Sequence, residues 1–512
     1  MKRSLFVAVV WIILLVLWAS PALAETTADT AWVRTYCGPG YGWEIAYAIA
    51  LDGSQNACVT GFSLDPVTGE DYATVRYYPN GNVAWSERYN GPGNGGDRAY
   101  AITADDPGNV YVTGRSLGSG TYLDFATIKY DSEGDTAWVR RCNGPADSTD
   151  EARAIAVDGF GNVYVTGFSS GGTTGYDYLT VKYYPDGATA WLRRYNGTGN
   201  DDDRAYAVAA DGDGSVYVFG QSKGIGTDYD YVTIKYHSNG DTAWVRRYNG
   251  PGNDYDRASA MAIDDYGNVY VTGWTLSATT DRDYATIKYL PDGDTAWVRI
   301  YDGAASGWDA AYAIAVDGLG NVYVTGESEE VGTYGDYATV KYNPNGDTLW
   351  VGRYNGPGDP VDYPYAIAVD GSGNVYVTGE SGADYLTIRY DPGGETDWVQ
   401  RYDGPANSGD GAEAIVVDDS GNVYVTGSSD GTGMGNYDYA TIKYVQFMRG
   451  DASGDLIVDV GDVVYLVNYL YRNGPAPQPL AAGDANCDGV VDLGDIVFLL
   501  SYLFRGGAPP GC

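Results

Sequence analysis

The chain has 512 residues and carries 68 acidic against 31 basic side chains, a formal net charge of −37. That length exceeds what one hydrophobic core serves, so several domains or a repeat array are expected. The charge excludes nucleic acid as a partner, which needs a basic footprint, and the single histidine, His237, excludes any mechanism or metal site that needs two.

The first element is a secretory signal. Lys2 and Arg3 precede the apolar run "LFVAVVWIILLVLWA", and "ALA" at 22–24 offers small residues for cleavage before Glu25. Residues 1–24 therefore read as a signal peptide, with an uncleaved anchor as the alternative, and the expected location is secreted, extracellular or cell-surface attached. No later stretch could cross a bilayer, so no membrane span is expected in the mature chain. Export places the five cysteines in an oxidising compartment.

Residues 25–446 repeat one unit. Tryptophan recurs at 32, 85, 138, 191, 244, 297, 350 and 398, and a "VTG"-like glycine recurs at 61, 114, 167, 220, 273, 326, 379 and 427. Each unit holds four β-branched and aromatic runs, for example "AYAIAVD", "NVYVTGE", "DYATVKY" and "TLWVGRY", separated by turn chemistry such as "GLG" and "NPNGD". Four strands, A to D, per unit of about 40–50 residues is the signature of a propeller blade, with a solenoid as the alternative. The array starts with an orphan D strand, "TAWVRTY" at 30–36, and its last unit ends after "DYATIKY" at 438–444. The orphan should complete the last unit, which closes an eight-bladed ring without open edges.

In such a ring the A–B and C–D turns share one face and the B–C and D–A loops share the other. Length varies only in the B–C loops, which marks that face for binding. Trp274, Glu329, Glu330 and Met434 are the unusual residues assigned to these loops. One acid stands before strand A in every unit: Glu44, Asp97, Asp150, Asp203, Asp256, Asp309, Asp362 and Asp410. These form either a cation- or ligand-attracting rim or a set of backbone caps. The abundant tyrosines suit a carbohydrate-stacking surface or blade packing. His237, in "KYHSNGD", reads as a turn residue, and Cys37, Cys58 and Cys142, in different blades, as buried thiols.

The units resemble the bacterial secreted β-propeller repeat family called SBBP, over nearly all of residues 28–444. That resemblance implies a fold and export, with no catalytic residues to carry over. "NPNGDTLWVGRYNG" is also similar to the tryptophan-docking motif of eight-bladed quinoprotein dehydrogenases. Those enzymes use adjacent cysteines at the cofactor, and none are adjacent here, so this likeness reads as shared blade architecture.

Residues 449–512 differ from everything before them. Asp451, Ser453, Asp455, Asp459 and Asp462 occupy positions 1, 3, 5, 9 and 12 of a loop, and Asp484, Asn486, Asp488, Asp492 and Asp495 repeat the spacing. With the carbonyls of Ile457 and Val490 at position 7, these are the oxygen ligands of an EF-hand calcium loop, so two Ca²⁺ ions are expected. Leu456 replaces the usual position-6 glycine in the first loop, and Gly489 keeps it in the second. Each loop runs into an apolar helix, "VVYLVNYLYR" and "IVFLLSYLFR", and the two should pack together. Cys487 and Cys512 could be bonded.

This tandem resembles a type I dockerin, a small α-helical EF-hand-like module. The resemblance implies docking onto a cohesin-type protein module, often in polysaccharide-degrading assemblies. The expectation for the whole chain is mainly β: an eight-bladed β-propeller that binds a glycan or surface protein, followed by a dockerin. The alternative is a secreted polysaccharide-active enzyme, a glycoside hydrolase or lyase.

Overall fold

The computed structural model describes residues 26–40, 42–277, 281–305, 307–358, 361–431, 435–454, 457–505 and 507–510. The expected signal peptide, Asp455, Leu456, Met434 and Cys512 lie outside them. The chain divides into two compact units, Trp32–Lys443 and a second one that contains Tyr444 to the C-terminus.

The larger unit is an eight-bladed propeller. Its strands form eight four-stranded antiparallel sheets, seven of them meanders of consecutive strands. In blade 1 these are Glu44–Leu51 (A), Ala57–Asp65 (B), Gly69–Tyr77 (C) and Val83–Tyr89 (D). Strands B and C are buried almost throughout, which explains why they read as continuous apolar runs. Strand D buries its tryptophan, Trp191 in blade 3 and Trp244 in blade 4, among exposed and half-buried residues. Blade 8 is closed as expected: its outermost strand is the N-terminal one, Thr26–Tyr36, paired with Tyr437–Met448.

The blades are joined by bonds that repeat around the ring. Trp138 of blade 2 sits against Tyr183 of blade 3 at 5.9 Å between rings and donates from Nε1 to the Pro185 carbonyl at 3.1 Å. Trp191, Trp244 and Trp297 each make the same bond at 3.1 Å to the next blade. The junction between blades 8 and 1 uses it too, Trp32 Nε1 donating to Pro79 at 3.1 Å while its ring meets Tyr77 and Tyr424. A second bond runs from Tyr72 Oη to the Ala126 carbonyl at 3.0 Å, and the closing copy runs from Tyr439 Oη to Ala73 at 3.1 Å.

Blade 1 departs from its sisters. Cys58 and Arg76 replace the tyrosine and lysine found at these places in most blades, and Arg76 bonds both Asp52 and the Ser132 carbonyl. Of the three cysteines expected as buried thiols, Cys58 is buried, Cys142 is half-buried and Cys37 is exposed. Cys37 follows the outermost strand, at the rim, where no further strand covers it. His237 is a turn residue, its N–H donating to Asp241 O at 2.8 Å.

The smaller unit contains two 13-residue helices, Val460–Arg472 and Leu493–Arg505. They share a core of Ala452, Val463, Leu466, Ala485, Ile496 and Leu499. Asp459 caps the first helix and Asp462 completes a reciprocal capping box. Cys487 is disulfide-bonded. No helix among the described residues is long and apolar enough to cross a membrane.

Deleting residues 26–38 removes the strand that closes blade 8 and leaves an open sheet edge. The expected outcome is aggregation or a large loss of melting temperature, read by light scattering and calorimetry. A variant that stays monomeric and melts like the parent would contradict closure.

Candidate functional site

The eight acids before strand A are caps. Glu44, Asp97, Asp150, Asp203, Asp256, Asp309, Asp362 and Asp410 are all buried, and each accepts the N–H of a glycine six residues earlier at 2.5–2.7 Å. They pin every D–A loop to its blade and do not form an open rim. Burial pushes Asp203, Asp256 and Asp309 up to about 6.

Three residues after each acid lies the feature that sequence reading missed. The A–B register of every blade slips by one residue, between Ala46 and Ala48 in blade 1 and at the matching place in the others. The skipped residues are Tyr47, Tyr100, Arg153, Tyr206, Ser259, Tyr312, Tyr365 and Glu413. Each sits in a β-bulge on an inner strand, a device that re-aims a side chain. All eight are half-buried. Tyr47 and Tyr100, from adjacent blades, meet at 5.5 Å between rings, and Tyr312 and Tyr365 at 6.2 Å.

The "VTG" glycine makes the bulge possible. A Cβ on Gly273 would lie 1.9 Å from the Arg257 carbonyl oxygen, and one on Gly61 would lie 1.8 Å from that of Ile45. Only glycine lets the bulged strand come this close. The recurrence of "VTG" and the channel-lining residue are therefore one structural fact.

The bulge positions break the repetition of the ring, and charged residues beside them on strands A and B divide around it. On blades 2 to 5, Arg98 pairs with Glu70, Arg115 and Arg153 share Glu151, and Arg204 pairs with Asp202. Arg257 is exposed and has no ion pair among the described residues. On blades 6 to 8, Glu327 accepts from Tyr312 Oη at 2.9 Å, while Glu380 and Glu413 have no hydrogen-bond partner among the described residues. Burial, with the Glu380 charge second, pushes Glu413 up to about 7. A cavity of about 490 Å³ lies among Tyr47, Arg98, Tyr100, Arg153 and Tyr206, and a smaller one of about 290 Å³ beside Tyr365, Glu380 and Glu413.

The loop residues singled out from sequence take other places. Trp274 belongs to strand B of blade 5, is 6% exposed, and stacks on Tyr255 at 5.2 Å. Arg282 lies between it and the more exposed Trp308, 4.4 Å and 4.0 Å from the two rings. Glu329 ends strand B of blade 6, and Glu330 pairs with Arg353 at 3.0 Å.

In the C-terminal unit the last aspartate of each loop is bonded in the same way. The Asp462 carboxylate accepts the N–H of Ser453 at 2.9 Å and of Asp459 at 2.8 Å. The Asp495 carboxylate accepts those of Asn486 at 3.2 Å and Asp492 at 2.8 Å. Asp451 accepts Gly454 N–H at 2.8 Å, and Asp484 accepts those of Asp488 and Gly489 at 3.1 Å. Asp462 and Asp495 are fully buried, and burial, with nearby acidic charge, raises both carboxyls. Ile457 and Val490 expose their side chains at 59% and 57%, so neither belongs to the core. Arg449 reaches the second loop, 3.5 Å from the Asp484 carboxylate, and oxygen donors crowded in this way fit the chemistry of a hard cation.

Four segments, residues 137–172, 243–278, 299–330 and 350–385, match the family described as "SBBP: Beta-propeller repeat". Each begins at a Trp-bearing D strand, and together with the eight sheets they establish SBBP β-propeller repeats in this chain. No curated protein matches. Among solved structures, a protein from Lactobacillus plantarum aligns at 13% identity and TM-score 0.44, over 68% of this chain and 95% of that one. A eukaryotic initiation factor aligns at 8% and 0.42, over 83% and 96%. A puromycin hydrolase aligns at 13% and 0.41, over 78% and 61%. At such scores and identities these alignments carry no functional information.

Two outcomes are expected. Gly273→Ala should destabilise the chain by about 1–3 kcal/mol, because the added Cβ forces the bulge strand away; an unchanged urea midpoint would contradict this. Glu413, raised from its ordinary 4.5, holds a proton in the folded state that the unfolded chain releases. Its contribution is full below the unfolded value and is lost as pH rises through about 7. Glu413→Gln should therefore lose less melting temperature than the parent between pH 5 and pH 8.

Proposed function

We propose that this is a secreted binding protein: a propeller that holds a glycan at its channel mouth, attached to its site of action by a calcium-loaded dockerin. The observation that carries the binding half is the set of eight bulge residues. A ring uniform in its caps and glycines, and repeating most of its interblade bonds, presents non-identical side chains at one place, the bulges of its inner strands. Half-buried tyrosines with charged neighbours suit a polar, ring-shaped ligand.

The docking half rests on the two equivalent loops. Asp451, Ser453, Asp455, Asp459 and Asp462 with the Ile457 carbonyl would hold one Ca²⁺. Asp484, Asn486, Asp488, Asp492 and Asp495 with the Val490 carbonyl would hold the other. The ion would neutralise the crowded carboxylates and fix each loop against its helix, presenting the helix pair to a cohesin-type partner. Export through the N-terminal signal would place both halves outside the cell.

One observation favours an enzyme as the second reading. Glu413, pushed up to about 7, stands near Glu380 in the channel. A protonated carboxyl beside an ionised one is what glycoside hydrolysis requires of its acid and base.

Calorimetry of the full chain should show two calcium sites, and Asp484→Ala with Asp495→Ala should leave one; absence of any calcium uptake would defeat the dockerin reading. A glycan array, followed by a reducing-sugar assay on the hits, separates the two readings of the propeller. Binding without turnover is expected. Turnover abolished by Glu413→Gln would establish the enzyme instead.

A further inference from the structure

The half of the channel mouth built by blades 1 to 4 is electrically unlike the rest of this protein. The whole chain carries a net charge of −37 and should repel anions. Yet the 490 Å³ cavity there is lined by two arginines and three tyrosines. Arg153 is the bulge residue of blade 3, and its guanidinium lies 4.6 Å from the Tyr100 ring centroid. It shares the carboxylate of Glu151 with Arg115, whose bond to it is 3.0 Å long. Glu151 is only 3% exposed, so two guanidiniums divide one buried carboxylate and one positive charge is left over.

The remaining lining supplies donors and flat faces. The hydroxyls of Tyr100 and Tyr206 have no hydrogen-bond partner among the described residues. Burial raises the pKa of both, that of Tyr100 to about 12, so each keeps its proton and can donate to an anion. Tyr47 meets Tyr100 with the two rings tilted by 42°. Across the channel, Glu380 would repel a second negative group, which restricts the ligand's charge to one side.

We propose that this cavity binds a carboxylate-bearing saccharide, a uronate, with its carboxylate on Arg153 and its ring faces against Tyr47, Tyr100 and Tyr206. A guanidinium fork matches a planar carboxylate in geometry as well as charge. The assignment rests on the propeller being a glycan-binding module and adds the ligand's class and its orientation.

The test is calorimetric titration of the full chain with β-1,4-linked triglucuronate and with cellotriose, which has the same rings and no carboxylate. Triglucuronate should bind, more weakly as salt rises, and cellotriose should bind at least about tenfold more weakly. Arg153→Gln should weaken triglucuronate by about tenfold with little change in melting temperature, since Arg115 still neutralises Glu151. Tyr206→Phe, which removes one hydroxyl and cannot disturb the fold through an ion pair, should weaken it by a smaller factor. Equal binding of both saccharides, unaffected by Arg153→Gln, would overturn the uronate assignment and leave the glycan-binding reading standing. Binding of neither saccharide, or of tetraglutamate alone, would overturn the assignment to a saccharide altogether.

Discussion

Ring closure is the constraint on which the propeller depends. Each blade is a small sheet whose two faces are apolar, so it is stable only between neighbours. A linear array would leave two faces and two edges exposed. The chain removes the problem by using one contact set at the junctions between blades and at the seam. The cluster that seals the ring combines Trp32, Tyr424 and Tyr439 of blade 8 with Ala46, Val59, Val75 and Tyr77 of blade 1. Trp32 and Tyr439 make there the same hydrogen bonds that join the inner blades. A bond of this kind contributes about 1 kcal/mol net, and the larger effect is burial of the aromatic rings that carry it.

A scaffold held this way frees one position per blade. The capping acid fixes the entry to strand A, and the "VTG" glycine gives the bulge its room. The residue between them is tied to neither job. It can be Tyr, Arg, Ser or Glu without touching the interblade bonds, and across the eight blades it is all four. Function and stability are separated along the chain by three residues. The separation explains how a ring with repeating geometry presents unlike side chains at its bulges, among them Arg153 and Glu413. The other charges stand one residue after the acid, as Arg98, Arg204 and Arg257 do, or on strand B, as Arg115, Glu327 and Glu380 do.

Much of the fold was legible in the sequence because the repeat places equivalent residues at equal spacing. Blade number, strand order and the role of the N-terminal strand follow from the tryptophan and glycine positions. The capping acids were visible as well, and burial decided between their two readings. The bulge was not legible, because "EIAYAIAL" reads as ordinary half-buried strand and a one-residue slip leaves no mark in composition. One signal was available: between the recurring alanines of strand A, the column three residues after the acid runs Tyr, Tyr, Arg, Tyr, Ser, Tyr, Tyr, Glu. Trp274 was misplaced for a related reason. Its strand extends past the glycine to Leu276, so an apparent loop residue stays within the sheet. The two C-terminal helices were legible from their apolar runs, while the exposed Cys37 shows that repeat position does not fix burial at the rim.

Hydrogen–deuterium exchange measured blade by blade tests closure most directly. If the ring is closed, amides of 26–36 should be as protected as those of the outermost strand of blade 4, Thr242–Tyr248, and strand B of blade 8, Val423–Asp430, as protected as Val216–Lys223 in blade 4. All should exchange only through global opening. Fast exchange of 26–36, with protection falling from blade 4 towards blades 8 and 1, would contradict the account and point to an open array.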